Sequence, residues 1–247
     1  VETLSAIEVL VPSLPTPNIT GNSNSALAKS FRGRSILLAD ACHGAGFAMT
    51  SNFSTMLLEG LSIFDTDADA RTSIGQLAEH AENMLPLLTD QILESEISSR
   101  AVFVGYGPIA FATGESALKV MELTTGKIPT LWDSTPGFRH GPKSYISGGT
   151  SIYVLRSAKY PAIKYEVDVV EELRVQFPEA TTITLGEDEK FSTKIIESSA
   201  LDSVLPVKPA QLASVVWSDR LGLNVNPFVG QSILTRVVSD VQIHPIE

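Results

Sequence analysis

Short apolar runs separated by longer stretches of helical periodicity set the main constraint on this chain. "SILLAD" (35–40), "RAVFVGYG" (100–107), "SIYVLRS" (151–157) and "TTITLG" (181–186) each have the length and residue types of a strand. Between them, "FAMTSNFSTMLLEGLSIF" (47–64) reads as a buried helix, and "IGQLAEHAENMLPLLTDQILES" (74–95) as an amphipathic helix with a break expected near Pro86. Residues 115–125 and "YEVDVVEELRVQF" (165–177) read as helices. A weak strand at "SVLPV" (203–207) and a helix near "AQLASVVWSDRLGL" (210–223) close the pattern. Neighbouring parallel strands need a crossover long enough to hold a helix, so this alternation predicts an α/β fold with parallel sheets. The acidic turn "DTDADA" and the helix after it, around 65–98, mark the best domain boundary.

Composition limits what such a fold does. The 247 residues suit one large domain or two small ones, and 43% hydrophobic with 19% charged residues suits a packed core. A net charge of -10 argues against nucleic acid as a partner, but not against a phosphate held by backbone N–H groups at a helix start. Cys42 is the single cysteine, so neither a disulfide within the chain nor a cysteine zinc site is expected. His43, His80 and His244 lack metal-ligand spacing, and neither metal nor cofactor is expected. No apolar run approaches the roughly 20 residues of a membrane span. No charged-then-apolar leader opens the chain, so no membrane partner is expected and cytoplasm is the default. The opening "VETLSAIEVLV" has helical spacing and no start methionine, as an interior segment would.

Chemistry concentrates between residues 105 and 140. Ligands of open α/β sheets bind beyond the carboxyl ends of strands, and "VFVGYGP" is such an end, with Gly105 and Gly107 allowing close backbone approach. In the helix that follows, Glu115, Lys119 and Glu122 fall within roughly a 60° arc of one face, while Val120 and Leu123 fall off it and can pack. The loop "GFRHGPKS" (137–144) then carries His140. Taken singly, the Glu–Lys pairs read as solvated surface pairs and the histidine as structural. Taken together, they suit proton transfer beside a carbonyl. Moving hydrogen between C1 and C2 of a sugar needs a carboxylate base, a proton shuttle at the ring oxygen and a cation for the developing oxyanion. Glu122, His140 and Lys119 match those needs in that order. Thr50 and Ser51 open a helix and either hold a phosphate or cap it. Asp133 either orients a neighbour or starts a turn.

The segment "GESALKVMELTTGKIPTLWDSTPGFRHGPKS" (114–144) resembles the AgaS-type sugar isomerase (SIS) domain family of tagatose-6-phosphate ketose/aldose isomerases and galactosamine-6-phosphate deaminase/isomerases. "GFAMTSNFSTML" (46–57), "YEVDVVEELR" (165–174) and "LTRVVSDVQIHP" (234–245) extend the resemblance over most of the chain. It implies tandem SIS domains, three-layer α/β/α sandwiches that dimerise or assemble further. Their expected bounds here are 1–70 for a partial first domain, 71–98 for a connecting helix and 99–247 for the second domain. The resemblance also implies a phosphorylated hexose or hexosamine as substrate. Glu122 stands where the family has its glutamate base, and His140 where it has a ring-opening histidine donated by a neighbouring subunit. Glu115 and Lys119 match the other helix residues, and Arg236 stands opposite an active-site lysine.

Three departures accompany the match. The family's phosphate loop, of the type "SFGRSGNS", is expected just before "VETLSAIEV", so the first domain is expected to lack its first half. The family's arginine before "ESALK" is Gly114, and the segments at 187–210 and 222–228 are shortened. The expected activity is isomerisation of a sugar phosphate or deamination of an amino-sugar phosphate. A sugar-phosphate sensor without turnover and a dimerisation module are the alternatives.

Overall fold

A computed structural model describes residues 18–25, 28–29, 35–44, 46–64, 70–157, 160–186, 191–192 and 201–225. The chain divides into two compact units, residues 1–64 with 226–247, and residues 65–225.

In the first unit, strands β1 (Asn18–Thr20) and β2 (Ser35–Leu37) pair in parallel, and helix α1 (Thr50–Phe64) follows. The 47–64 segment was expected to be buried, yet no residue of α1 is. Among the described elements it packs chiefly on β1 and a 3-10 turn at Asp40–Cys42, too little surface to cover fifteen residues. The hydroxyls of Ser54, Thr55 and Ser62 turn back onto the carbonyls of Thr50, Ser51 and Leu58.

The second unit opens with α2 (Ala70–Glu94), which runs through Pro86 without the expected break. Proline leaves the Glu82 carbonyl without its helical partner, and both residues face solvent, where water replaces the bond. The strands that follow are β3 (Arg100–Gly105), β4 (Thr130–Ser134), β5 (Thr150–Leu155), β6 (Thr181–Gly186) and β7 (Phe191–Ser192). They form a five-stranded parallel sheet in the order β4-β3-β5-β6-β7. Its helices are α3 (Ile109–Leu123), α4 (Thr135–His140), α5 (Ala162–Gln176) and α6 (Lys208–Arg220).

Strand alternation distributes these helices over the two faces. Val102 and Val104 of β3, with Ile152 and Val154 of β5, form a core with Phe138 of α4 and Val169, Val170 and Leu173 of α5. The intervening residues turn to the other face, where Phe103 stacks on Tyr153 at 5.0 Å between ring centroids and α3 packs between the sheet and α6. Both faces are therefore covered, as all-parallel sheets require. Each fully buried aliphatic side chain contributes about 1.5–3 kcal/mol.

Two local expectations fail. The 203–207 segment is not a strand but part of a 3-10 helix, Leu201–Val207, because Pro206 has no N–H to give a sheet and the run buries its apolar side chains near α3 and α6. The 137–144 segment is not all loop. Ser134 accepts a hydrogen bond from the Gly137 N–H at 3.1 Å and starts the short α4, a 3-10 turn follows at Pro142–Tyr145, and His140 is the last residue of α4.

Candidate functional site

Three of the candidate side chains meet on α3. Lys119 Nζ donates to Glu122 Oε2 at 2.6 Å and lies 3.5 Å from Glu115 Oε1. The first contact is a charge-assisted hydrogen bond; at the second distance the attraction is mainly coulombic. Solvated surface pairs would keep the ammonium in water, whereas the Lys119 side chain is 5% exposed and that of Glu115 10%. The reason is tertiary. Ser116, Ala117, Val120 and Leu123 bury the inner side of α3, and α6 with the 201–207 turn covers its flank. Burial pushes the Glu115 carboxyl above its ordinary range, the Lys119 charge opposes that, and the Glu122 charge adds to it. Glu122 is 30% exposed, and its second oxygen accepts no hydrogen bond from a described residue. One cation thus serves two carboxylates, one of which keeps a free oxygen at the edge of the cluster.

The glycines at the head of α3 differ in use. A Cβ on Gly105 would lie 3.0 Å from Ile109 Cγ2 and 3.1 Å from Thr113 Cγ2, so this glycine lets strand and helix pack closely. Gly107 turns the chain at φ +58° with open space around it, leaving the backbone accessible beyond the strand end. Gly114, where the resemblance implies an arginine, lies under Trp132. Three atoms of the indole stand 3.3–3.5 Å from where a Cβ would be.

His140 does not join this cluster within the chain. It is exposed at the end of α4, on the sheet face opposite α3, and no hydrogen bond or ion pair links it to Glu115, Lys119 or Glu122. Closeness in sequence is undone by topology. β4 lies on one side of β3 and β5 on the other, so successive right-handed crossovers place their helices on opposite faces. Asp133 acts locally, accepting from the Ser134 N–H at 2.6 Å, and a Cβ on Gly137 would clash with its Oδ1. Thr50 and Ser51 sit at the start of α1 in the other unit, and their hydroxyls bond no described residue. Arg236 lies outside the described residues.

Two acidic residues were not singled out from sequence. Glu166 of α5 is fully buried; its Oε2 accepts from the Ser157 N–H at 2.9 Å and Oγ at 3.3 Å. Burial pushes its carboxyl up to about 7, against the pull of the Ser157 bonds and Arg156. A signal existed: Glu166, Val169, Val170 and Leu173 are spaced i, i+3, i+4, i+7, which places the glutamate on the apolar stripe. Glu172 binds Arg139 and Lys143, on either side of His140. Nothing in its own helix foretells that contact. Among the described residues no group of His, Cys, Asp and Glu could hold a metal, and no helix is long and apolar enough to cross a membrane.

No family model matches the chain. The D-galactosamine-6-phosphate deaminase AgaS of Shewanella sp. (strain ANA-3) is 31% identical over 99% of this chain and 64% of its own length. The chain therefore spans less than two thirds of that curated relative. The crystal structure of tagatose-6-phosphate ketose/aldose isomerase from Escherichia coli superposes with a TM-score of 0.82 at 25% identity, over 100% of this chain and 69% of that one. A proposed tagatose-6-phosphate ketose/aldose isomerase from Clostridium novyi NT gives 0.81 at 30% identity, over 98% of this chain and 68% of that one.

Proposed function

The chain belongs to the AgaS family of SIS-fold proteins, and from that premise we propose that it acts on a hexose or hexosamine phosphate, either interconverting aldose and ketose or deaminating the amino sugar. The observation that carries the reading is the Glu115–Lys119–Glu122 cluster, a buried cation bonded to a carboxylate that keeps one oxygen free. For galactosamine 6-phosphate the balance is substrate plus water to tagatose 6-phosphate plus ammonia. His140 moves the proton that opens the ring. Glu122 removes the C2 hydrogen, and the electron pair moves into the C1 carbonyl, whose developing charge Lys119 offsets. The proton returns to C1, and water releases ammonia from the C2 imine. A substrate without the amino group ends at the ketose.

His140 faces away from α3 in its own chain, so in this reading it serves the site of a second copy, and the protein works as a homodimer or larger assembly. In this reading the unit of residues 65–225 is the second SIS domain, and the other unit belongs to the first. Thr50 and Ser51 offer hydroxyls to the phosphate, and Arg236 supplies a further cation. The test is Glu122→Gln in heavy water. Loss of deuterium entry at C2, with sugar-phosphate binding nearly unchanged, is the expected result. Equal exchange in the variant refutes the assignment, and binding without turnover in the unaltered chain would favour a sensor.

A further inference from the structure

We infer that Glu172 is a positioning residue for His140: it gathers the two cations that flank the His140–Gly141–Pro142 turn and thereby fixes where the imidazole is presented. The inference rests on the proton-shuttle reading of His140. Arg139 Nε lies 2.8 Å from Glu172 Oε2, and Lys143 Nζ donates to Oε1 of the same carboxylate. Arg139 immediately precedes His140 and Lys143 follows by three residues, so one carboxylate ties down both ends of the turn. Gln176, one helical turn further along α5, accepts from Lys143 Nζ at 3.2 Å and donates to Glu172 Oε1 at 3.3 Å.

The turn needs such a tie. α4 has six residues, and so short a helix does not hold itself in water. The His140 ring bonds no described residue, so its position follows from the backbone on either side. Phe138 anchors one side in the core with Val169, Val170 and Leu173, and Glu172 holds the other from the same helix. The network is more than a loose surface pair. The Lys143 side chain is 16% exposed, and two cations share one carboxylate. The hydrogen bond from Lys143 and the charges of Lys143 and Arg139 hold that carboxyl below its ordinary range, so the tie stays ionised at neutral pH. Without it, two uncompensated cations would flank the turn and repel each other.

The test separates ring opening from the later proton transfer. The substrates are galactosamine 6-phosphate and its 4,5-dideoxy analogue, which has no hydroxyl able to close a five- or six-membered ring. Glu172→Ala should lower kcat on the cyclic substrate by about ten- to a hundredfold, with KM within about threefold and turnover of the acyclic analogue unchanged. Glu172→Gln keeps the shape without the charge and should fall between. The His140 ring signal in a carbon–proton NMR spectrum, assigned by its loss in His140→Asn, should be single in the unaltered protein and broadened or split in Glu172→Ala. An unchanged His140 signal overturns the inference whatever the activity, and so does an equal loss on both substrates. If His140→Asn shows a ring-specific loss and both Glu172 variants do not, the inference alone falls. If His140→Asn shows none, the shuttle reading falls and takes the inference with it.

Discussion

Replacing Glu166 by glutamine should change how stability depends on pH. The carboxyl is fully buried on α5, and one of its oxygens accepts no hydrogen bond from a described residue. Burial raises its pKa from the ordinary 4.5 to about 7. A carboxyl raised in the folded state takes up its proton more readily there than when unfolded. Its contribution is therefore fully present below about pH 4.5 and is lost as pH rises through about 7. The interval is roughly 2.5 pH units, and at 1.36 kcal/mol for each the loss is about 3 kcal/mol, most of it between pH 5 and pH 8. Glutamine mimics the protonated form and removes the titration. About 2.5 kcal/mol of the loss falls between pH 5 and pH 8, so at 2–4 °C per kcal/mol the melting temperature of Glu166→Gln should gain about 5–10 °C on the unaltered chain over that interval. Melting curves of the two proteins at pH 5, 6, 7 and 8 measure this directly. Parallel profiles would mean instead that Glu166 is hydrated or paired when folded.

Lys119→Met should cost about 3 kcal/mol at pH 7, the low end for a broken buried pair because Glu122 is partly exposed, since it leaves two carboxylates facing each other without their cation. Denaturant titration should show a smaller loss near pH 4.5, because burial raises the Glu115 carboxyl above its ordinary value and less negative charge is then left without its cation. Pro86→Ala should stabilise by about 1–3 kcal/mol, since it restores the bond to the Glu82 carbonyl at a solvent-facing position where no packing is lost. A denaturant midpoint that does not rise would mean that α2 is bent to suit a contact that needs the proline.

Local pattern carried much of the fold. β3, β5 and β6 are runs bounded by turn residues, and α5 shows its stripe plainly, so each was legible with little error at its ends. β4 was missed because "TLWDS" sits at a sheet edge, alternates poorly and ends in residues that also start turns. α4 was hidden because glycine and proline punctuate "TPGFRHGP". What makes it helical is the Ser134 cap and the burial of Phe138, and the second is a tertiary contact. The site divided the same way. Helical spacing put Glu115, Lys119 and Glu122 on one face, but their burial is tertiary, and α6, which packs on α3, lies about ninety residues away. The separation of His140 from that cluster follows from strand order, which no local window contains.

The proposal that Glu122 moves the C2 proton of a sugar phosphate stands or falls on isotope exchange. The most direct measurement is incubation of the protein with galactosamine 6-phosphate in heavy water, following ammonia and the C1 and C2 proton signals together. If Glu122 is the base, ammonia is released with deuterium at C1 of the ketose product, and both are absent in Glu122→Gln. Undiminished C1 and C2 protons with no ammonia, from protein that binds the sugar phosphate, would contradict the proposal.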